Sequence, residues 1–130
     1  MCPLCSVAVE TIDHLFVGCR ELLEIWSRIP IWWDVRLPDR FAIDDIMRWV
    51  DSTSLKIGQR KAFDAVIISA FWCLWNFRNN FVFGPTIPRK SDLFDAIVER
   101  TFFWISNRSS KSRIGWTSWL HNPVLASILM

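Results

Sequence analysis

The sequence predicts a mainly α fold, a small helical domain with an N-terminal Cys3His zinc knuckle. Three observations predict it. Cys2, Cys5, His14 and Cys19 stand as C-x2-C-x8-H-x4-C at the amino end. Apolar residues recur at helical intervals through most of the chain beyond Cys19. Pro30 and the pair Gly84-Pro85 stop two of those apolar stretches. At 130 residues there is room for one domain of ordinary size. Its expected parts are the knuckle with its following helix (1–29), a helical core (30–107) and a basic, aromatic tail (108–130).

The knuckle comes first in the chain. A C-x2-C turn brings two sulfurs to one side, and a later His and Cys close the other, which suits one tetrahedral Zn2+ ion bound by Cys2, Cys5, His14 and Cys19. Three of the four cysteines and one of the two histidines fall within this stretch. Two other readings stay open: three small buried thiols beside a core imidazole, or a disulfide with one cysteine left over. Four protein ligands would leave no position for water, so such a site holds shape and does no chemistry. Ser6 to Val9 return the chain from the cysteine pair. Glu10 and Thr11 open a short helical segment carrying His14, which Gly18 ends.

A second helix is expected over Arg20 to Ile29, with Leu22, Leu23, Ile25, Trp26 and Ile29 at helical intervals and Pro30 as its stop. Ile31 to Val35, between Pro30 and Pro38, is read as an extended segment laid across the helices. Ile43 to Asp51 places Ile43, Ile46, Met47 and Val50 on one stripe. The longest helix should run from Gly58 to Phe83, apolar on nearly every side from Ala65 to Trp75 and therefore central, with Trp26 and Trp72 in the core. Ser91 caps a final helix to Asn107, whose inward stripe is Phe94, Ile97, Val98, Phe102 and Ile105.

Ten Phe and nine Trp, with no Tyr and a positive mean hydropathy, exclude a disordered linker. They exceed what a lone domain of this size buries, so an exposed apolar patch or a missing partner is expected. The net charge of +2 gives no strong global pull towards nucleic acid. It is unevenly spread, because no acidic residue follows Glu99 while Arg100, Arg108, Lys111 and Arg113 do. No targeting signal precedes the ligands, which points to an intracellular location, cytoplasm or nucleus. The apolar run Ala62 to Phe77 is shorter than the ~20 residues a bilayer span needs, so no membrane partner is expected.

The quoted residues also carry a family resemblance. C-P-L-C at 2–5, E-T-I-D-H-L-F at 10–16, Cys19, Trp26 and Trp32-Trp33 resemble the reverse-transcriptase zinc-binding domain of plant LINE-type (non-LTR) retrotransposon polyproteins. W-C-L-W-N-F-R-N-N-F-V-F at 72–83 is similar to the W-x-x-W-x-x-R-N-x-x-V-F segment of the same proteins, through Trp72, Trp75, Arg78, Asn79, Val82 and Phe83. Trp116, Trp119 and Asn122-Pro123 resemble their closing W-x-x-W-x-x-N-P. The resemblance implies a zinc module downstream of a polymerase that helps engage template RNA or DNA. The chain departs from the family's arrangement by opening just before the first ligand and by lacking polymerase and endonuclease portions, which implies a free-standing fragment or a derived stand-alone gene.

Enzyme chemistry finds no residues to stand on. Asp44-Asp45 lacks the aromatic expected two residues earlier in a polymerase site and reads as solvated charge near a helix start. No Ser, Cys or His stands beside a base. Cys73 reads as core, and His121 as a surface imidazole. Arg78 and Asn79 are assigned to structure. For single-stranded RNA or DNA, the candidate contacts are Arg20, Arg28, Trp32 and Trp33 near the knuckle and Arg108, Lys111 and Arg113 in the tail. Glu10, Asp13, Glu21 and Glu24 surround the knuckle and oppose phosphate. The competing class is a module docking through exposed aromatics onto a polymerase body or onto itself.

Overall fold

A computed structural model of the chain describes residues 1–39, 42–108 and 114–128. Among these residues all regular structure is helical. The longest element, α3 (Ile57–Phe83), is the spine on which the rest is assembled. Ala62, Phe63, Val66, Ala70 and Leu74 recur at three- and four-residue steps and are completely buried. Its first turn is tied by Gln59, whose Oε1 accepts from the Lys56 amide at 2.9 Å. At the other end Gly84 passes so close to Asn80 that a Cβ would lie 2.5 Å from the Asn80 carbonyl oxygen. The helix therefore stops where the sequence predicts.

α3 is not surrounded, however. Ile68, Trp72 and Trp75 face outward, and Trp72, expected in the core, is 44% exposed. An unbroken apolar run does not tell which side of a helix will be covered, because its mean hydropathy is high in every direction.

The helices α1 (Glu24–Trp33) and α2 (Ile43–Met47) precede α3. Two expectations fail in α1. Residues 20–23 form turns, so the helix starts four residues late. It then runs through Pro30, and Ile31 to Trp33 are helical instead of extended. Proline removes one backbone donor and crowds the preceding turn. Burial of Ile29 and Trp33, both fully enclosed, outweighs that cost. The helix ends at Asp34, which adopts the left-handed conformation (φ 52°). In α2 the stripe is shorter than predicted: Met47 is exposed, and the chain tightens into a 3-10 turn, Trp49–Ser52, that turns Trp49 inward.

After α3 a second 3-10 turn, Lys90–Asp92, leads into α4 (Leu93–Arg108). α4 runs back along α3, with Arg100 over the Trp72 ring. Its buried positions include Ile97, Val98 and Ile105, as the periodicity predicts, and Thr101, whose hydroxyl donates to the Ile97 carbonyl. Two short helices, α5 (Trp116–His121) and α6 (Pro123–Ala126), fold back onto the body. Asn122 Oδ1 accepts from the Leu125 amide, and Pro123 opens α6, where its missing N–H costs nothing.

The core is built from edge-to-face aromatics. Trp33 and Trp49 each meet Phe63, at 5.2 and 5.0 Å, and Trp119 meets Trp32 and Trp33 at 5.1 and 5.8 Å. Such pairs add about 0.5–1.5 kcal/mol each beyond area burial. The indole N–H groups tie this core to surrounding loops: Trp49 donates to the Arg36 carbonyl, Trp119 to Val98 and Trp32 to Leu120. Among the described residues Trp33 Nε1, which is buried, has no partner. Among the described residues no helix is long and apolar enough to cross a membrane.

Candidate metal centre

The knuckle folds from local backbone constraints. Cys2 N donates to the Ala8 carbonyl at 2.7 Å and Ser6 N to the Cys2 carbonyl at 2.9 Å, so the first eight residues close into a loop. Ser6 completes the reversal with a left-handed backbone, φ 58°. The segment His14–Gly18 is a single π-helical turn, opened by the Thr11 hydroxyl accepting from the His14 amide at 3.0 Å. The wider turn directs His14 towards Cys5 while Leu15 and Val17 enter the core. Cys19 follows in extended conformation.

These constraints bring Cys2, Cys5, His14 and Cys19 together, with all four donor atoms within 4.8 Å of one another. Cys5 Sγ lies 3.3 Å from His14 Nε2, and Cys2 Sγ lies 4.0 Å from Cys19 Sγ. A tetrahedral ion with ordinary sulfur and nitrogen bond lengths separates its donors by about 3.5–3.8 Å. The observed pairs bracket that range, so the group could hold a metal ion with only small adjustment. The three cysteines are buried and His14 is half-buried, with Leu4 and Ala8 packed over the sulfurs.

The thiols are not equivalent. The Val7 amide, directed at Cys5, lowers its thiol to about 6, assisted by His14 and Cys2 and opposed by burial. Burial above all, with Cys2 and Cys5 adding, pushes the Cys19 thiol up to about 12 against the Glu21 amide. A coordinated cation reverses the second effect, because a metal-bound thiol loses its proton outright.

Several contacts fasten the centre to the body, among them the Ile43 amide of α2, which donates to Asp13 Oδ1 at 3.4 Å. Phe16 stacks edge-on against Phe71 of α3 at 5.3 Å, and its carbonyl accepts from Trp26 Nε1 at 2.7 Å. Glu21 hydrogen-bonds Lys90. Glu10 receives Arg78 of α3 in a two-point contact, Nε to Oε1 at 2.7 Å and Nη2 to Oε2 at 3.2 Å. That contact holds the Glu10 carboxyl below its ordinary range. The sequence assigns Arg78 to structure without revealing its partner. The available signal was an arginine in the apolar second half of a helix and an acidic knuckle in need of a cation.

The candidate nucleic-acid contacts differ in what they offer a ligand. Trp33 is 0% exposed and offers no face to a ligand, a correction of the expectation placed on it. Trp32 is half-buried, its ring held edge-on against Trp33, Phe94 and Trp119. Arg28 lies over the Phe94 ring at 4.1 Å, and Arg20 sits 3.9 Å from Glu21. Arg108 ends α4. Lys111 and Arg113 lie outside the described residues. No family model, curated protein or solved structure matches the chain.

Proposed function

We propose that Cys2, Cys5, His14 and Cys19 bind one zinc ion as a closed structural site. In this reading the chain is a non-enzymatic module akin to the reverse-transcriptase zinc-binding domain it resembles, assisting engagement of an RNA or DNA template. The observation that carries the metal reading is the convergence of the four donors within 4.8 Å. Three sulfurs and an imidazole around a closed tetrahedral position are the donor set of structural zinc sites, which supports zinc as the ion. With every position of a tetrahedral ion filled by protein, the ion organises the first nineteen residues and activates no water.

The surroundings of the remaining reactive groups support a role outside catalysis. Asp45 accepts from the Ala42 amide, Asp44 lies 3.9 Å from Arg48, and Cys73 is buried with its thiol pushed up by that burial. For the nucleic-acid role the support is the exposure of Arg20 and Arg28, with Arg28 and the half-buried Trp32 both against the Phe94 ring. Binding through so few cations is weak and declines further as salt rises. A second reading, docking of exposed aromatics onto a polymerase body, is favoured by the outward Trp72, Trp75 and Phe83. It would persist at high salt.

The test is metal content, then ligand binding. The purified chain should carry one zinc per molecule, and cobalt in its place should give thiolate-to-metal charge-transfer absorption. A chain that neither retains zinc nor gives that absorption overturns the metal reading. Binding of single-stranded RNA at low salt that disappears at high salt supports the template role, and no binding at either salt removes it.

A further inference from the structure

α3 and α4 leave an open groove of about 850 Å3 between them, bordered by Trp116 of α5 and by the connection that carries Pro88 and Arg89. Along α4 the residues lining this face are Ala96, the adjacent pair Glu99 and Arg100, Phe103 and Asn107, which recur about once per helical turn and form one stripe. Phe103 is 70% exposed at its centre, with Ile68 and Trp72 of α3 beside it. Contiguous apolar surface of this kind is rarely left bare in a stable monomer. We infer that this face pairs two copies of the chain about a two-fold axis beside Glu99 and Arg100, with the two α4 helices antiparallel.

The pattern of the stripe supports a second copy as the occupant. A two-fold interface must complement itself, each position meeting one that suits it in the other copy. An axis between Glu99 and Arg100 sets Glu99 against the partner's Arg100 and, by symmetry, Arg100 against the partner's Glu99. The same register sets the protruding Phe103 against the partner's Ala96, where the ridge of α4 is lowest and the groove is open beside Leu93. Asp92 then meets the partner's Asn107. Large side chains meet small ones, and charges meet their opposites.

The two charges are available for this. Among the described residues neither Glu99 nor Arg100 has an ion-pair partner, and the Arg100 guanidinium lies over the Trp72 ring at 4.8 Å. Held there, its N–H edge is free to meet a carboxylate. A nucleic-acid strand fits the same face poorly. Glu99 stands at its middle, and Arg89 is already matched by Asp92 at 3.2 Å, so the groove has no net positive charge to offer phosphates. This inference is independent of the zinc reading.

The test is sedimentation velocity of the full, metal-loaded chain over a micromolar concentration series. A concentration-dependent dimer is expected. Arg100→Glu, which gathers four carboxylates at the axis, should weaken it at least about tenfold. Adding Glu99→Arg to that variant exchanges the signs and should restore the dimer. Phe103→Ala should weaken it, with circular dichroism and zinc content unchanged. A chain that stays monomeric throughout overturns the inference, and so does a dimer indifferent to Arg100→Glu or not rescued by the double exchange. A monomer whose binding to a single-stranded oligonucleotide is lost in Phe103→Ala would assign the groove to nucleic acid instead.

Discussion

Arg78 and Glu10, 68 residues apart in the chain, meet through two charge-assisted hydrogen bonds that fasten the knuckle to the longest helix. Both side chains are mostly buried, 19% and 27% exposed, so the pair is shielded from solvent more than a surface ion pair is. The guanidinium also lies near the Trp75 and Phe83 rings, at 5.7 and 5.9 Å.

Removing one partner leaves the other half-enclosed without its counter-charge. Glu10→Gln should therefore lower stability by about 1–2 kcal/mol, measured as a shift in the urea midpoint at pH 7. The pH dependence has a definite sign. Arg78 lowers the Glu10 carboxyl in the folded chain below its ordinary 4.5, so the contribution is complete above that value and fades as pH falls through the folded value. The gap between the natural chain and Glu10→Gln should be full at neutral pH and shrink on acidification. A gap unchanged in strong acid would dismiss the pairing as its source.

Loss of a ligand should be felt locally. Cys5→Ser and His14→Ala should each reduce zinc per chain and raise amide hydrogen exchange across residues 1–29, while α3 keeps its protection. The knuckle covers only part of α3, at Phe71 and Arg78, while α4, Trp33 and Trp49 cover the rest of its buried side. Equal loosening of α3 and the knuckle would refute that separation.

Thiol reactivity after chelation should follow the uneven environments of the cysteines. At pH 7 the Cys5 sulfur, lowered to about 6, is mostly thiolate, whereas burial holds the Cys73 thiol up within α3. Brief alkylation read by mass spectrometry should modify Cys5 first and Cys73 last, and should modify neither while metal is bound. Early modification of Cys73 would mean that α3 itself opens when the metal leaves.

Trp119 is the largest test of the carboxyl-terminal part. Its ring is completely buried against Trp32 and Trp33, and its N–H donates to the Val98 carbonyl at 3.1 Å. Trp119→Ala should cost about 3–5 kcal/mol, enough to unfold a marginal domain at physiological temperature. A loss below about 1 kcal/mol, read from chemical denaturation, would mean that α5 and α6 contribute little to the core.

These contacts also explain which parts of the fold were legible in the sequence. The ligand set was legible because it is local: four side chains within nineteen residues depend on turn geometry and little else. The stop of α3 was legible through Gly84 and Pro85, again a short-range signal. Pro30 misled, because its local cost is visible in sequence while the compensating burial of Ile29 and Trp33 comes from α3 and α5. Trp72 and Trp33 exchanged their expected places for the same reason. Helical periodicity groups residues on a face without saying what will cover it. The Glu10–Arg78 pair was hidden by distance along the chain, although each residue stood out in its own surroundings.

The indole N–H of Trp32 closes on the carbonyl of Leu120, 88 residues further on. During synthesis that bond must wait until Leu120 has left the ribosome, while Cys2, Cys5, His14 and Cys19 emerge close together and far ahead of it. Under the proposed metal reading, the cysteine loop is thus free to take up an ion seconds before the tryptophan interior exists, and to present the later helices with an ordered end.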